Sequence, residues 1–262
     1  MNFEFLNVEV RGHVTTLTMN RPAVMNAINP AMHTEMQAAL DAFASAPDQY
    51  ICVITGVGDR AFCAGSDLKA AAQAGISSSQ YPKNGYAGLI ERYDLIKPVI
   101  AAVNGMALGG GFEIALACDV IVASENAKFG LPEPLVGAVA LGGGLHRLAR
   151  QIGLKQAMGM VLSAESVTAR RGEQLGFVNE VVPLFELQAA TDRWCEKILK
   201  CAPLAIRASK ETIMRGLDEP SLAAALQGQR TYPAFAAWRS AQDTIEGPRA
   251  FAEKRAPRWQ GK

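Results

Sequence analysis

Apolar and polar positions alternate over FEFLNVEV and again over VTTLTMN, with RGH between them. A period of two on both sides of a glycine predicts a β-hairpin with one buried face. After the breaker-rich NRPAVMNAINP the period changes. From Ala31 to about Ala46, residues Met32, Met36, Ala39, Leu40 and Phe43 recur at helical spacing and predict an amphipathic helix. YICVITG, PVIAAVNG and DVIVAS are short and almost wholly apolar, the signature of buried strands. Each runs into a helix or a helix-bound loop, which predicts βα units and parallel pairing. DRAFCAGSDLKAAAQAG reads as a loop feeding a helix, and a further helix is expected around Tyr86–Ile96, stopped by Lys97-Pro98. Beyond about residue 145 the pattern becomes successive amphipathic helices with short connections. The expected organisation is an α/β core over 1–195 and a helical, oligomerising region over 196–262.

Composition narrows the function classes. The 262 residues carry a formal net charge of +1, so no electrostatic case exists for nucleic acid or an anionic membrane as partner. No run approaches the roughly 18 apolar residues of a membrane span. The acidic, strand-like N-terminus lacks the features of a targeting segment. Five cysteines without a CxxC pair predict reduced thiols, and hence a cytoplasmic protein. Three histidines (His13, His33 and His146) share no metal-ligand spacing, so no metal is expected.

The candidate chemistry lies where two strands end. FCAGSDLKA and GMALGGGFEIA both leave a strand through small residues and enter a helix. Small residues let a ligand approach the main chain, and a helix start leaves backbone N–H groups without partners. Two such starts facing each other would aim two donors at one oxygen, an oxyanion hole. Close strand–helix packing explains either glycine cluster alone; the repetition favours a site. No GxGxxG or GxxxxGK[ST] loop is present, and Ala64 and Leu68 stand where a nucleophile elbow needs glycine. Carboxylates remain: Glu113 in the first turn of FEIALA and Glu133 held between two prolines in LPEPL. Singly, each is explained by helix-dipole complementarity or an exposed turn. Together, beside an oxyanion hole, they could share a proton network that activates a water.

With LTMNRPAVMNAI, DRAFCAGSDLKA, KPVIAAVNGMALGGGFEIALACDVIVAS, AKFGLPE and EGPRAFAEKRAPRW in view, the chain resembles the enoyl-CoA hydratase/isomerase (crotonase) superfamily over essentially its full length. The resemblance implies a spiral of ββα units with a C-terminal helical trimerisation region, and a trimer or dimer of trimers. It implies that the N–H groups of Ser66 and Gly110 hold the thioester oxygen, that Glu113 deprotonates a water, and that Glu133 supplies the proton to Cα of a 2-enoyl-CoA. It further implies that CoA lies along Met25–Ala27 and along Ala64, Ser66, Asp67, Leu68 and Lys69, with Lys254 reaching a phosphate. No cofactor beyond the CoA of the substrate is implied.

Ser66 stands where alanine is common in hydratases, and VGAVALGGGLHRLARQIG departs from the family's usual acyl-side pattern. SDLKAAA, CAPLAI and the EGPRAFAEKR tail also resemble carnitinyl-CoA dehydratases, whose dehydration of a substituted 3-hydroxyacyl-CoA is the same chemistry run backwards. A Δ3-Δ2 isomerase needs one acid, and a non-catalytic binding module needs neither, so the two glutamates favour hydratase chemistry over both.

Overall fold

The computed structural model describes residues 3–67, 69 and 81–262. The hairpin forms as the alternation requires: β1 (Leu6–Arg11) pairs antiparallel with β2 (Val14–Met19), and Gly12 turns the chain at φ +57°. Inward-facing Leu17 and Met19 are fully buried, while Val8 and Val10 on β1 face solvent. Helix α1 (Pro30–Ser45) starts one residue earlier than the periodicity indicates. Asn29 caps it by accepting the Met32 N–H at 2.8 Å, and Pro30 occupies the first turn, where its missing N–H costs nothing.

From there the next six strands are dealt alternately to two sheets. β1, β2, β3 (Ile51–Gly56), β5 (Val99–Val103), β7 (Val120–Ser124) and β10 (Glu180–Val182) lie in that order in one sheet, parallel after the hairpin. The other sheet runs β4 (Ala61–Cys63), β6 (Met106–Leu108), β8 (Lys128–Gly130), β9 (Val167–Thr168), with β4, β6 and β8 parallel. Each repeat gives its first strand to one sheet and its second to the other, so three successive repeats leave the smaller sheet at the same end. Ser66 follows β4, Gly110 follows β6 and Glu133 follows β8.

Helix α2 (Gly110–Ala117) is buried on every side and is pinned by an aromatic trio. The rings of Phe112, Phe129 and Phe177 lie 5.2–5.4 Å apart, centre to centre. Along the chain follow α3 (Gly144–Gln151), α4 (Leu154–Ser163), α5 (Ala169–Leu175) and α6 (Leu187–Leu199).

One expected element is absent. Tyr86–Ile96 is not a helix: only Tyr86–Gly88 makes a 3-10 turn, and it is broken inside by Ala87 at φ +54°. Gly85 and Gly88 also take positive φ, and Gly88 lies against the backbone of Gln37, so the turn docks onto α1 instead of continuing as a helix. The helix expected from SDLKAAAQAG falls mainly outside the described residues, as does Leu68.

The chain divides into two compact units: residues up to Arg92 with Val99–Asp192, and Tyr93–Pro98 with Arg193–Lys262. The second is helical, including α7 (Pro203–Gly216), α8 (Leu222–Gly228), α9 (Pro233–Arg239) and α10 (Asp243–Ala252). Buried Glu211 ties α7 to α9 by accepting the Ala234 N–H at 2.7 Å. The last residues are anchored rather than loose: Asp243 accepts from the N–H groups of Gln260 and Gly261, and Trp259 Nε1 donates to the Lys200 carbonyl.

Candidate active site

The loops after β4 and β6 meet through a glycine. A Cβ on Gly65 would lie 2.9 Å from the Leu108 carbonyl and 3.2 Å from the Gly110 nitrogen. Its φ of +93° excludes most other residues as well. Gly65 therefore brings Ser66 beside the start of α2. Among the described residues, neither the Ser66 N–H nor the Gly110 N–H donates to a protein acceptor. The next loop is fastened to the pair by Gly109, whose N–H donates to the Gly130 carbonyl at 2.9 Å.

Two carboxylates stand at this junction. A Cβ on Gly109 would come within 2.9 Å of Glu133 Oε1. Oε2 of Glu133 is buried without a hydrogen-bond partner, an exception that calls for a ligand or a water. Glu113 is 3% exposed. Its Oε1 accepts the Gly144 N–H at 2.9 Å, and its carboxylate fills the space that side chains at Gly142 and Gly144 would take.

Burial pushes the Glu113 carboxyl up to about 7; the Gly144 N–H opposes that rise, and the charge of Glu133 adds to it. Burial raises Glu133 too. Burial and a neighbouring carboxylate thus both disfavour a second charge at this junction.

Residues 9–262 match the family model described as enoyl-CoA hydratase/isomerase. The chain belongs to the enoyl-CoA hydratase/isomerase family. It is 39% identical over 262 residues to a carnitinyl-CoA dehydratase of Proteus mirabilis (98% of each chain), and 40% identical over 264 residues to one of Salmonella typhi (99% of each). Among solved structures, it superposes with a TM-score of 0.91 on an enoyl-CoA hydratase of Mycobacterium tuberculosis (37% identity, 98% of this chain and 99% of that one). A Bacillus anthracis enoyl-CoA hydratase matches with the same score at 32% identity, over 99% of this chain and all of the other. The ββα spiral is the crotonase fold.

Within this enoyl-CoA hydratase/isomerase chain, the expected ligand-binding segments run side by side. Ile28 bridges to Ser66, the Met25 carbonyl accepts the Ala64 N–H at 3.0 Å, and the Ile28 carbonyl accepts the Asp67 N–H at 3.0 Å. Met25 and Asn26 reach this register with positive φ, held by buried Asn26, whose amide donates to the carbonyls of Val57 and Ala61. Asp67 is tied down by an ion pair with Arg21 at 3.0 Å, and Arg21 also donates to the Ala27 carbonyl. Lys69 is exposed at the end of this ledge. Lys254 lies just past α10 in the second unit, exposed and at φ +54°.

The residues that sequence reasoning missed are those wrapping the acids: Gly142 and Gly144 around Glu113, and Tyr86 against Gly110. A second glycine triplet at 142–144, so like the first, was a visible signal. Tyr86 carried none, because a tyrosine in an apolar run reads as core. Among the described residues, no group of three or more His, Cys, Asp or Glu side chains is arranged to hold a metal, and no helix is long and apolar enough to cross a membrane.

Proposed function

We propose that the chain adds water reversibly across the 2,3 double bond of a 2-enoyl-CoA. The thioester oxygen accepts from the N–H groups of Ser66 and Gly110, and the positive end of α2 stabilises the enolate charge that develops there. Glu113 takes a proton from the water that attacks C3, and Glu133 delivers one to C2. In reverse, Glu133 removes the C2 proton and Glu113 protonates the departing hydroxyl, so atoms and charge balance in both directions. The observation that carries this reading is the pair of unpartnered amides, locked together by Gly65, beside the buried carboxylate of Glu113 and the half-buried one of Glu133.

CoA would follow the ledge formed by Met25–Ala27 with Ala64, Ser66, Asp67 and Lys69, with Lys69 as a phosphate partner and Lys254 as a further one by the family resemblance. Oligomerisation, as a trimer or dimer of trimers, is supported by apolar side chains left exposed on the second unit: Ile213, Met214, Leu217, Leu222 and Leu226. All five cysteines are free thiols, which suits a cytoplasmic setting.

The deciding experiment is the loss of conjugated-thioester absorbance when the protein is mixed with crotonyl-CoA. Loss that requires both Glu113 and Glu133 supports the reading, and absence of turnover with every short-chain enoyl-CoA refutes it. The likeness to carnitinyl-CoA dehydratases, 39% and 40% identical over nearly the whole chain, supports a second reading, dehydration of a substituted 3-hydroxyacyl-CoA by the same two acids in reverse.

A further inference from the structure

Tyr86 has an unusual setting. Three residues around it, Gly85, Ala87 and Gly88, have φ of +73°, +54° and +61°. A non-glycine residue such as Ala87 holds that conformation only where its surroundings over-determine it, and such strain gathers at functional sites. Here α1 supplies the restraint. His33 Nδ1 accepts the Ala87 N–H at 2.9 Å, Gln37 exchanges two hydrogen bonds with Asn84, and Gly88 lies so close to Gln37 that a Cβ would come within 2.5 Å of its Cα.

What the strained turn delivers is a single side chain, 2% exposed. The Tyr86 ring occupies the space over Gly110, where any Cβ would overlap it. The Ser66 hydroxyl donates to the Tyr86 hydroxyl at 3.3 Å. His33 packs edge-on against the ring, 4.6 Å from centre to centre. One phenol thus touches both residues whose N–H groups stand without partners. Burial raises its ionisation out of the working range, so the hydroxyl keeps its proton.

We propose that Tyr86 is a positioning residue for the oxyanion hole: its ring fixes Gly110, its hydroxyl fixes Ser66, and the two amides stay aimed at one oxygen. The inference rests on the reading of these amides as the thioester site. A phenylalanine would fill the same volume and hold Gly110 alone.

The test uses butanoyl-CoA labelled with 13C at the carbonyl, a saturated thioester that cannot be hydrated, and isotope-edited infrared spectra of the bound form. The wild-type protein lowers the carbonyl stretching frequency relative to free thioester. Tyr86→Phe loses part of that lowering and lowers kcat about tenfold, with KM changed less than about twofold. Tyr86→Leu loses more of it. Ser66→Ala, at an exposed position, reproduces Tyr86→Phe, and the double variant is no worse than either single one, because both remove the same contact. A full frequency shift and wild-type kcat in Tyr86→Phe and Tyr86→Leu overturn the role of Tyr86 and leave the hydratase reading standing. Absence of any shift in the wild-type protein overturns the thioester site itself, and this inference with it.

Discussion

Glu113 and Glu133 are ordinary acids in an environment that does not want two charges. Hydration uses one ionised and one protonated carboxyl, so kcat/KM against pH is bell-shaped: it falls at low pH, where both carry protons, and at high pH, where neither does, with one limb near 7, the position to which burial moves Glu113. Glu113→Gln and Glu133→Gln each lower kcat by about 10³-fold or more in the crotonyl-CoA assay, with CoA affinity largely retained. The same burial has a cost to stability. A carboxyl whose folded value lies above its unfolded one stabilises the fold below about 4.5, and that contribution is lost as pH rises through about 7. Glu113→Gln, which keeps an acceptor for Gly144, therefore raises Tm at pH 8 and leaves it nearly unchanged at pH 4. The difference corresponds to at most about 3 kcal/mol. Equal Tm differences at the two pH values would contradict the burial argument.

At the scale of elements, glycines set the geometry. Gly142→Ala places a methyl group onto the Glu113 carboxylate, so kcat falls at least about tenfold while the protein stays folded. Circular dichroism alongside the hydration assay separates those two effects. Phe112 works from the other side of α2: Phe112→Ala opens the aromatic trio and costs about 3–5 kcal/mol in denaturant unfolding. Much of this level was legible in the sequence. The hairpin, α1 and the three buried strands follow from alternation and helical period, and the loop-to-helix junction at α2 follows from the small residues ahead of Glu113. The turn at Tyr86 was not legible. Its apolar residues at helical spacing predict a helix, and only the packing of Gly88 onto α1 and the His33 contact with Ala87 decide otherwise. Such restraints join residues 54 positions apart and leave no local signature. The glycine triplet at 142–144 was visible in the sequence, but its pairing with Glu113, 31 positions before Gly144, was not.

Across the molecule, His33 adds a pH response of opposite sign to that of Glu113. Burial pushes its imidazole down to about 4, so its contribution to stability is complete above about 6.5 and is lost as pH falls through about 4. His33→Gln should flatten the decline of Tm between those values, as a pH series of thermal melts would record. In solution, light scattering is expected to give three or six times the 27.9 kDa chain mass. Substituting Leu217 and Leu222, both exposed on the second unit, by charged residues should shift that mass downward.

The parallel trio β4, β6 and β8 gives the site an unusual modularity. Three neighbouring exits of one small sheet each carry a different payload: a donor, a donor with an acid one turn on, and an acid. Because each payload sits beyond its strand rather than in it, a lineage can rewrite one exit while the ladder beneath keeps the other two in place. Removing the carboxylate at the third exit would leave a scaffold that still grips an acyl thioester and is open to other chemistry at the adjoining carbons.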